Sequence, residues 1–253
     1  MFRKRPSFLD ACPARSAHIR ARRFPPFHAL LRLTAVSLFA ACGTASAQLS
    51  GSVSLVSDYI YRGVSLSHDN PEAQLNLTAD FDSGWFAGVF ATPVDLPATH
   101  GQAIAYGGYA HQWTNDISWE AGLSESAYAG NSGQDYTEAF IGLSTDRING
   151  RLYYSPNYLG QSLHSIYGEL NYNLPLAENL RFTAHAGYLD VIQRGDDGVG
   201  ASHGDARAGL SYRLGDWNLQ WGVASVRETI VYSRYHQHVT GHYAGIFDAT
   251  WNF

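Results

Sequence analysis

Beyond residue 47 the chain has neither cysteine nor lysine: Cys12, Cys42 and Lys4 all lie in the first 42 residues. A chain starting at residue 48 therefore has no disulfide and no thiolate chemistry available to it. Basic charge is scarce in the same stretch, with nine Arg against 21 Asp plus Glu and a formal charge of −12. Phosphate backbones are bound by basic surfaces, so nucleic acid is excluded as an expected partner. A long apolar run is missing as well. "LTAVSLFAA" (Leu33–Ala41) supplies about half of the roughly twenty residues that a spanning helix needs. No linker, low-complexity run or repeat divides the remaining 206 residues, which suit one β domain.

The leader contains eight Lys or Arg in residues 1–32 against Asp10, then the short apolar stretch, then "TASA" before Gln48. This is the pattern of a signal peptide cut after Ala47, so residues 1–47 are expected to be removed and 48–253 to be the mature domain. "FAAC", ending at Cys42, offers a lipoprotein cleavage site as the alternative.

What fills the mature chain is period two. In "EAQLNLTADFD" (Glu72–Asp82) the odd positions are Ala73, Leu75, Leu77, Ala79 and Phe81, and the even ones are all polar. The same alternation runs through Ile117–Glu125, Ser165–Leu174, Leu180–Tyr188, Asp205–Leu214 and Trp217–Val223. It is weaker in Trp85–Val94, Ala103–Thr114, Tyr136–Thr145 and Arg151–Tyr158. With a first strand reaching Arg62 and a last at Val239–Phe253, these predict twelve strands, or ten if Trp85–Val94 and Arg151–Tyr158 are partly loop.

Short polar turns at Asp82–Gly84, Thr114–Asp116, Asp146–Gly150, Pro175–Asn179 and Gly215–Asp216 alternate with longer connections, among them Gly63–Pro71, Asp190–Gly204 and Arg227–His238. Alternating short and long connections are the signature of an all-β, antiparallel transmembrane barrel of the bacterial outer membrane, with both termini in the periplasm. The tryptophans agree: Trp85, Trp113, Trp119, Trp217, Trp221 and Trp251 all fall toward the short-turn end. Tyr59, Tyr61, Tyr128, Tyr136, Tyr158 and Tyr188 fall toward the other end, where an aromatic girdle is expected.

The block Gly51–Asp95 carries Ser57, Asp58, Tyr59, Arg62, Gly63 and Ser65, then Gly84, Phe86, Gly88, Thr92 and Val94. In these positions it resembles the N-terminal segment of the TorF family of porins, which carries an "SDY..RG.S" start. The resemblance covers about the first fifth of the mature chain and implies an outer-membrane barrel acting as a channel. The end "FDATWNF", with Trp251 and terminal Phe253, resembles the signal read by the barrel-assembly machinery.

The expected function is a porin-like channel for passive diffusion of small hydrophilic, anionic solutes, with outer-membrane lipid and the assembly machinery as partners and no cofactor. Asp58 and Arg62, on one face of a continuous first strand, would face the lumen about 13 Å apart. Glu120, Glu169, Arg181, Arg207 and Arg213 share lumen parity and join them as selectivity candidates, with Arg181 set near Arg213 by strand pairing. A closed structural barrel is one alternative, and a barrel hydrolase is the other. For the hydrolase the candidates are Ser202, His203 and Asp205, or Ser67, His68 and Asp69, but neighbours in sequence rarely reach the geometry of a nucleophile and its base. His236, His238 and His242 share strand parity, yet no acidic or thiolate ligand accompanies them, and they read as a surface cluster with no metal.

Overall fold

A computed structural model describes residues 47–96, 98–192, 202–233 and 236–253, with the backbone alone over 227–233 and 236–240. Twelve strands form one antiparallel sheet: β1 (Ala47–Val56), β2 (Glu72–Phe81), β3 (Trp85–Leu96), β4 (Thr99–Gln112), β5 (Ser118–Ala129), β6 (Tyr136–Ser144), β7 (Ile148–Tyr158), β8 (Leu163–Pro175), β9 (Leu180–Val191), β10 (His203–Leu214), β11 (Trp217–Ser233) and β12 (His236–Asn252). Each strand pairs with its sequence neighbour, and β12 returns to β1 through Ser52↔Asn252, Leu55↔Ala249 and Val56↔Asp248. The sheet is a closed barrel with no free edge along this seam. The expected cleavage after Ala47 and lipidation at Cys42 concern residues outside the described ones.

Alternation decides which face each residue takes. In β1, Val53 and Leu55 point outward at 42% and 59% exposure, while Ser54 points in and hydrogen-bonds Thr250 Oγ1 at 2.9 Å across the seam. Leu123, Ile141, Leu143, Leu152 and Leu170 continue the outward apolar band. A band of leucine and isoleucine facing out, around a polar inside, is stable only when the outside is lipid. The tryptophans hold the short-turn rim as expected. Trp217 is registered opposite Trp251, and Trp85 packs edge-on to Tyr109 with ring centroids 5.5 Å apart.

Three expectations need correction. The first strand stops at Val56 rather than Arg62, because the chain leaves the barrel wall there. The connection expected at Arg227–His238 is instead strand: β11 and β12 pair as far as Ser233↔His236. That places His236 and His238 on a strand, their side chains outside the described residues. Finally, of the six tyrosines expected on the outer girdle only Tyr188 faces out, at 57% exposure. Tyr59, Tyr128, Tyr136 and Tyr158 are buried inside the barrel and Tyr61 is largely so. Their hydroxyls have partners in the lumen, which lipid could not supply.

Candidate functional site

The segment between β1 and β2 folds into the lumen and crosses it. Ser57 makes the last seam contacts, donating from its N–H to the Phe247 carbonyl at 2.8 Å and accepting the Phe247 N–H on its hydroxyl at 2.9 Å. Asp58 then staples the segment to itself, its Oδ1 accepting the Ser65 hydroxyl at 2.6 Å and the Ser67 hydroxyl at 2.8 Å. Ile60–Tyr61 and Val64–Ser65 form a small hairpin. Its two-residue turn is Arg62 at φ +51 and Gly63 at φ +77, the left-handed pair that a tight type I′ turn requires. Arginine pays about 1–2 kcal/mol for that conformation. Gly63 is required twice over, since a Cβ there would also lie 2.6 Å from Cβ of Asp205.

Contacts in several directions offset the cost. The Tyr59 hydroxyl donates to Gln102 on β4 at 2.6 Å, and Tyr61 meets Tyr136 on β6 at 3.1 Å. Arg62 forms a two-pronged ion pair with Glu138 on β6, at 2.9 and 2.7 Å. Its guanidinium also lies 4.4 Å from the ring centre of Tyr167 on β8, 5.0 Å from Tyr61 and 5.1 Å from Tyr153 on β7. His203 Nε2 on β10 donates to the Arg62 carbonyl at 2.9 Å, and the Val64 backbone bridges Arg227 on β11. One short hairpin thus touches walls on both sides of the lumen.

Asp58 and Arg62 therefore lie inside on a plug, and not on the continuous first strand expected for them. Asp58 holds the plug's shape and Arg62 ties its tip to the far wall. Both Arg62 and Glu138 side chains are almost fully buried, at 6% and 3% exposure. Burying a bare charge is prohibitive, and a paired, hydrogen-bonded one inside an aromatic cage is tolerated.

Under the plug lie three adjoining cavities that reach to the short-turn end. The first, of about 390 Å³, is roofed by Ile60–Gly63 and walled by Phe86, Phe140, Arg151, Glu169 and Arg207. The second, of about 270 Å³, shares Asn171, His185 and Arg207 with it. The third, of about 420 Å³, shares Asn173 with the second and is lined by Glu178, Arg181, Arg213 and Asp216. These shared walls trace a path of adjoining cavities from the short-turn mouth to the plug.

Most expected charges lie on this path. Arg181 and Arg213 line the same mouth cavity, as strand pairing implies. The acidic candidates differ in state: Glu120 is ion-paired with Arg151, whereas Glu169 accepts a hydrogen bond from the Tyr153 hydroxyl at 3.4 Å. Among the described residues Glu169, Arg181, Arg207 and Arg213 make no ion pair. Beside Arg207, His185 Nε2 contacts Asp205 Oδ1 at 2.7 Å and its Nδ1 contacts Asn171 at 2.7 Å. Glu138, Tyr153 and Tyr167 were not picked out in advance. Parity alone places Glu138 on the lumen face, since Thr137, Ala139 and Ile141 take the other.

The hydrolase candidates do not assemble. Ser202 donates to Asp190 at 2.7 Å, His203 is held by the plug, and Asp205 is paired with His185. In the other set Ser67 donates to Asp58, while His68 sits at the surface 3.8 Å from Asp95.

Solved structures share this architecture. A KdgM porin matches with a TM-score of 0.51 at 12% identity, over 81% of this chain and 98% of its own. A NanC porin matches with a TM-score of 0.53 at 12% identity, over 81% and 99%. At such identity the likeness is one of fold, a twelve-stranded barrel of the outer-membrane porin type. No curated protein matches the sequence. The model of one family, described as a bacterial protein of unknown function (Gcw_chp), matches residues 40–251, and the chain belongs to that family.

Proposed function

We propose that the protein is an outer-membrane channel for small hydrophilic solutes, with its short-turn end in the periplasm and its conductance limited by the Ser57–Pro71 plug. The carrying observation is the chain of three cavities, with charged side chains in their walls, that adjoin from the short-turn mouth to the plug. A barrel filled merely for rigidity would close that space with side chains, as narrow barrels do. The likeness to porins supports the same reading of the fold, and membrane insertion through the assembly machinery, signalled by Trp251 and Phe253, goes with it. The resemblance to the TorF family, resting on the Gly51–Asp95 block, points the same way.

The solute class we propose is anionic. Arg181, Arg207 and Arg213 follow one wall of β9 and β10 along the path and outnumber Glu169, while Glu120 and Glu138 are each neutralised by an arginine. Fixed charge in a low-dielectric pore acts strongly on permeating ions.

Planar-bilayer recording on refolded, heat-modifiable protein tests the proposal. Small discrete steps support it, and folded protein without any step in wild type or in a variant lacking residues 60–65 rejects it. The second reading, a closed structural barrel, draws on one observation: the plug is bonded on both sides of the lumen. It predicts that removing the plug leaves the membrane silent.

A further inference from the structure

We infer that the cavity beneath the plug is a binding site for a small zwitterion, an α-amino acid with an apolar side chain. The inference rests on the channel reading only for the solute's route to the site. Three features of the walls carry it.

The first is a pair of opposite charges without an ion-pair partner, Glu169 holding only a 3.4 Å hydrogen bond from the Tyr153 hydroxyl among the described residues. Arg207 and Glu169 both face this cavity, and neither makes an ion pair among the described residues. Every other close pair there is already matched: Arg62 with Glu138, Arg151 with Glu120, His185 with Asp205. The second is their placement. Glu169 on β8 is registered opposite Gly187 on β9, and Arg207 on β10 opposite His185. They are two strands and two residues apart, roughly 12 Å between backbones by strand spacing and rise. Both side chains reach inward across that gap, so they can hold two ends of one small molecule without meeting each other. The third is the remaining wall. Phe86 and Phe140, with ring centroids 6.4 Å apart, and Ile104 give the cavity an apolar side.

A carboxylate would take the Arg207 guanidinium in a two-pronged hydrogen bond. An ammonium would donate to Glu169 and leave its side chain against Phe86 and Phe140. A volume of about 390 Å³ sits at the low end for ligand pockets and suits a molecule of this size. A simple anion satisfies Arg207 but leaves Glu169 facing it, which costs affinity through like-charge repulsion.

The test is equilibrium binding to refolded, detergent-solubilised full-length protein, with leucine as the zwitterion, 4-methylpentanoate as the same skeleton without the amine, and 3-methylbutylamine as the same skeleton without the carboxylate. We expect leucine to bind at least about tenfold more tightly than either, since one charged hydrogen bond is worth about that much. Glu169→Gln should remove the preference for leucine over the acid, and Arg207→Gln the preference over the amine, with Arg207→Lys restoring part of it. Both residues face open cavity, and heat-modifiability confirms folding of each variant. Equal binding of leucine and 4-methylpentanoate, leucine binding unchanged in both variants, or no binding of leucine at all overturns the inference. Conductance is scored separately. Binding without conductance leaves this site standing and rejects the channel, whereas conductance without binding rejects this site alone.

Discussion

Arg62 and Glu138 stand 76 positions apart in the chain and meet in a two-pronged ion pair inside a cage of Tyr61, Tyr153 and Tyr167. The pair fastens the tip of a hairpin that starts at one side of the barrel to the strand on the other. Neither charge could remain in that place without its partner, so the ion pair and the plug's position are one structural fact. Removing one partner of a buried pair costs about 3–5 kcal/mol, because the other is left charged and dry. The plug has an alternative that a core residue lacks: it can swing out and let its charge reach water.

Glu138→Gln is therefore expected to release the hairpin rather than unfold the barrel. Single-channel recording should show larger or more frequent openings than wild type, while the gel heat-shift keeps its midpoint. Unchanged currents together with a lowered midpoint would mean that the pair stabilises the wall and does not gate the path.

Asp58 acts on the same hairpin from its other end. Its carboxylate holds Ser65 and Ser67 together, and hydrogen bonds to a charged group contribute about 1.5–3 kcal/mol each. Asp58→Asn keeps the shape and removes the charge, and should raise open probability less than Glu138→Gln. The double substitution should add little to Glu138→Gln alone, since both loosen one element. Fully additive effects on open probability would show that the two ends act separately.

Strand number, closure and the short turns were legible in the sequence because each depends on local chemistry: the parity of Leu75 against Asn76, the turn residues of Asp82–Gly84. The long connections were legible only in part, since Arg227–His238 is strand. The plug was not. Val53, Leu55, Tyr59 and Tyr61 continue one alternation straight through Val56, with no glycine or proline where the chain leaves the wall. What turns it inward is a set of distant partners, Phe247, Gln102 and Glu138, and pattern along the chain does not register those. The tyrosines misled for a related reason. An amphipathic ring near a strand end suits the lipid boundary and a wet lumen equally, and only the hydroxyl partners tell them apart. Parity assigns a strand charge to a face, but which charges are paired depends on neighbours across strands: Arg151 is registered opposite Glu169, yet turns to Glu120.

Gly51 and Phe253 give a prediction about closure. Their backbones exchange two hydrogen bonds of 2.9 Å, and a Cβ on Gly51 would lie 2.6 Å from the Phe253 ring. Gly51→Val should displace that ring from the seam while keeping Phe253 in the sequence, and deleting Phe253 removes it altogether. Both are expected to reduce outer-membrane levels in cell fractionation, the deletion more severely. Full surface levels of the deletion variant would show that the terminal ring is not an assembly signal.

Selectivity sets local charge against total charge. The −12 of residues 48–253 argues for cations, but much of it sits on turns and loops such as Asp69, Asp116 and Asp146, where salt screens charge over about 8 Å. Arg181 and Arg213 line the mouth cavity itself, with Glu178 and Asp216 as the opposing acids. Solutes on the proposed path pass within a few ångström of all four. A unit charge about 4 Å from an ion is worth about 1 kcal/mol even in water, a factor of about five in local concentration. Arg181→Ala with Arg213→Ala leaves Glu178 and Asp216 unopposed, so the zero-current potential in a salt gradient should move toward cation preference by about two- to fivefold in permeability ratio. Releasing the plug with Glu138→Gln in the same background raises the current and makes that ratio measurable if wild-type openings are rare. An unchanged zero-current potential in both backgrounds would make these arginines fillers of the mouth, and would leave anion preference without the residues proposed to carry it.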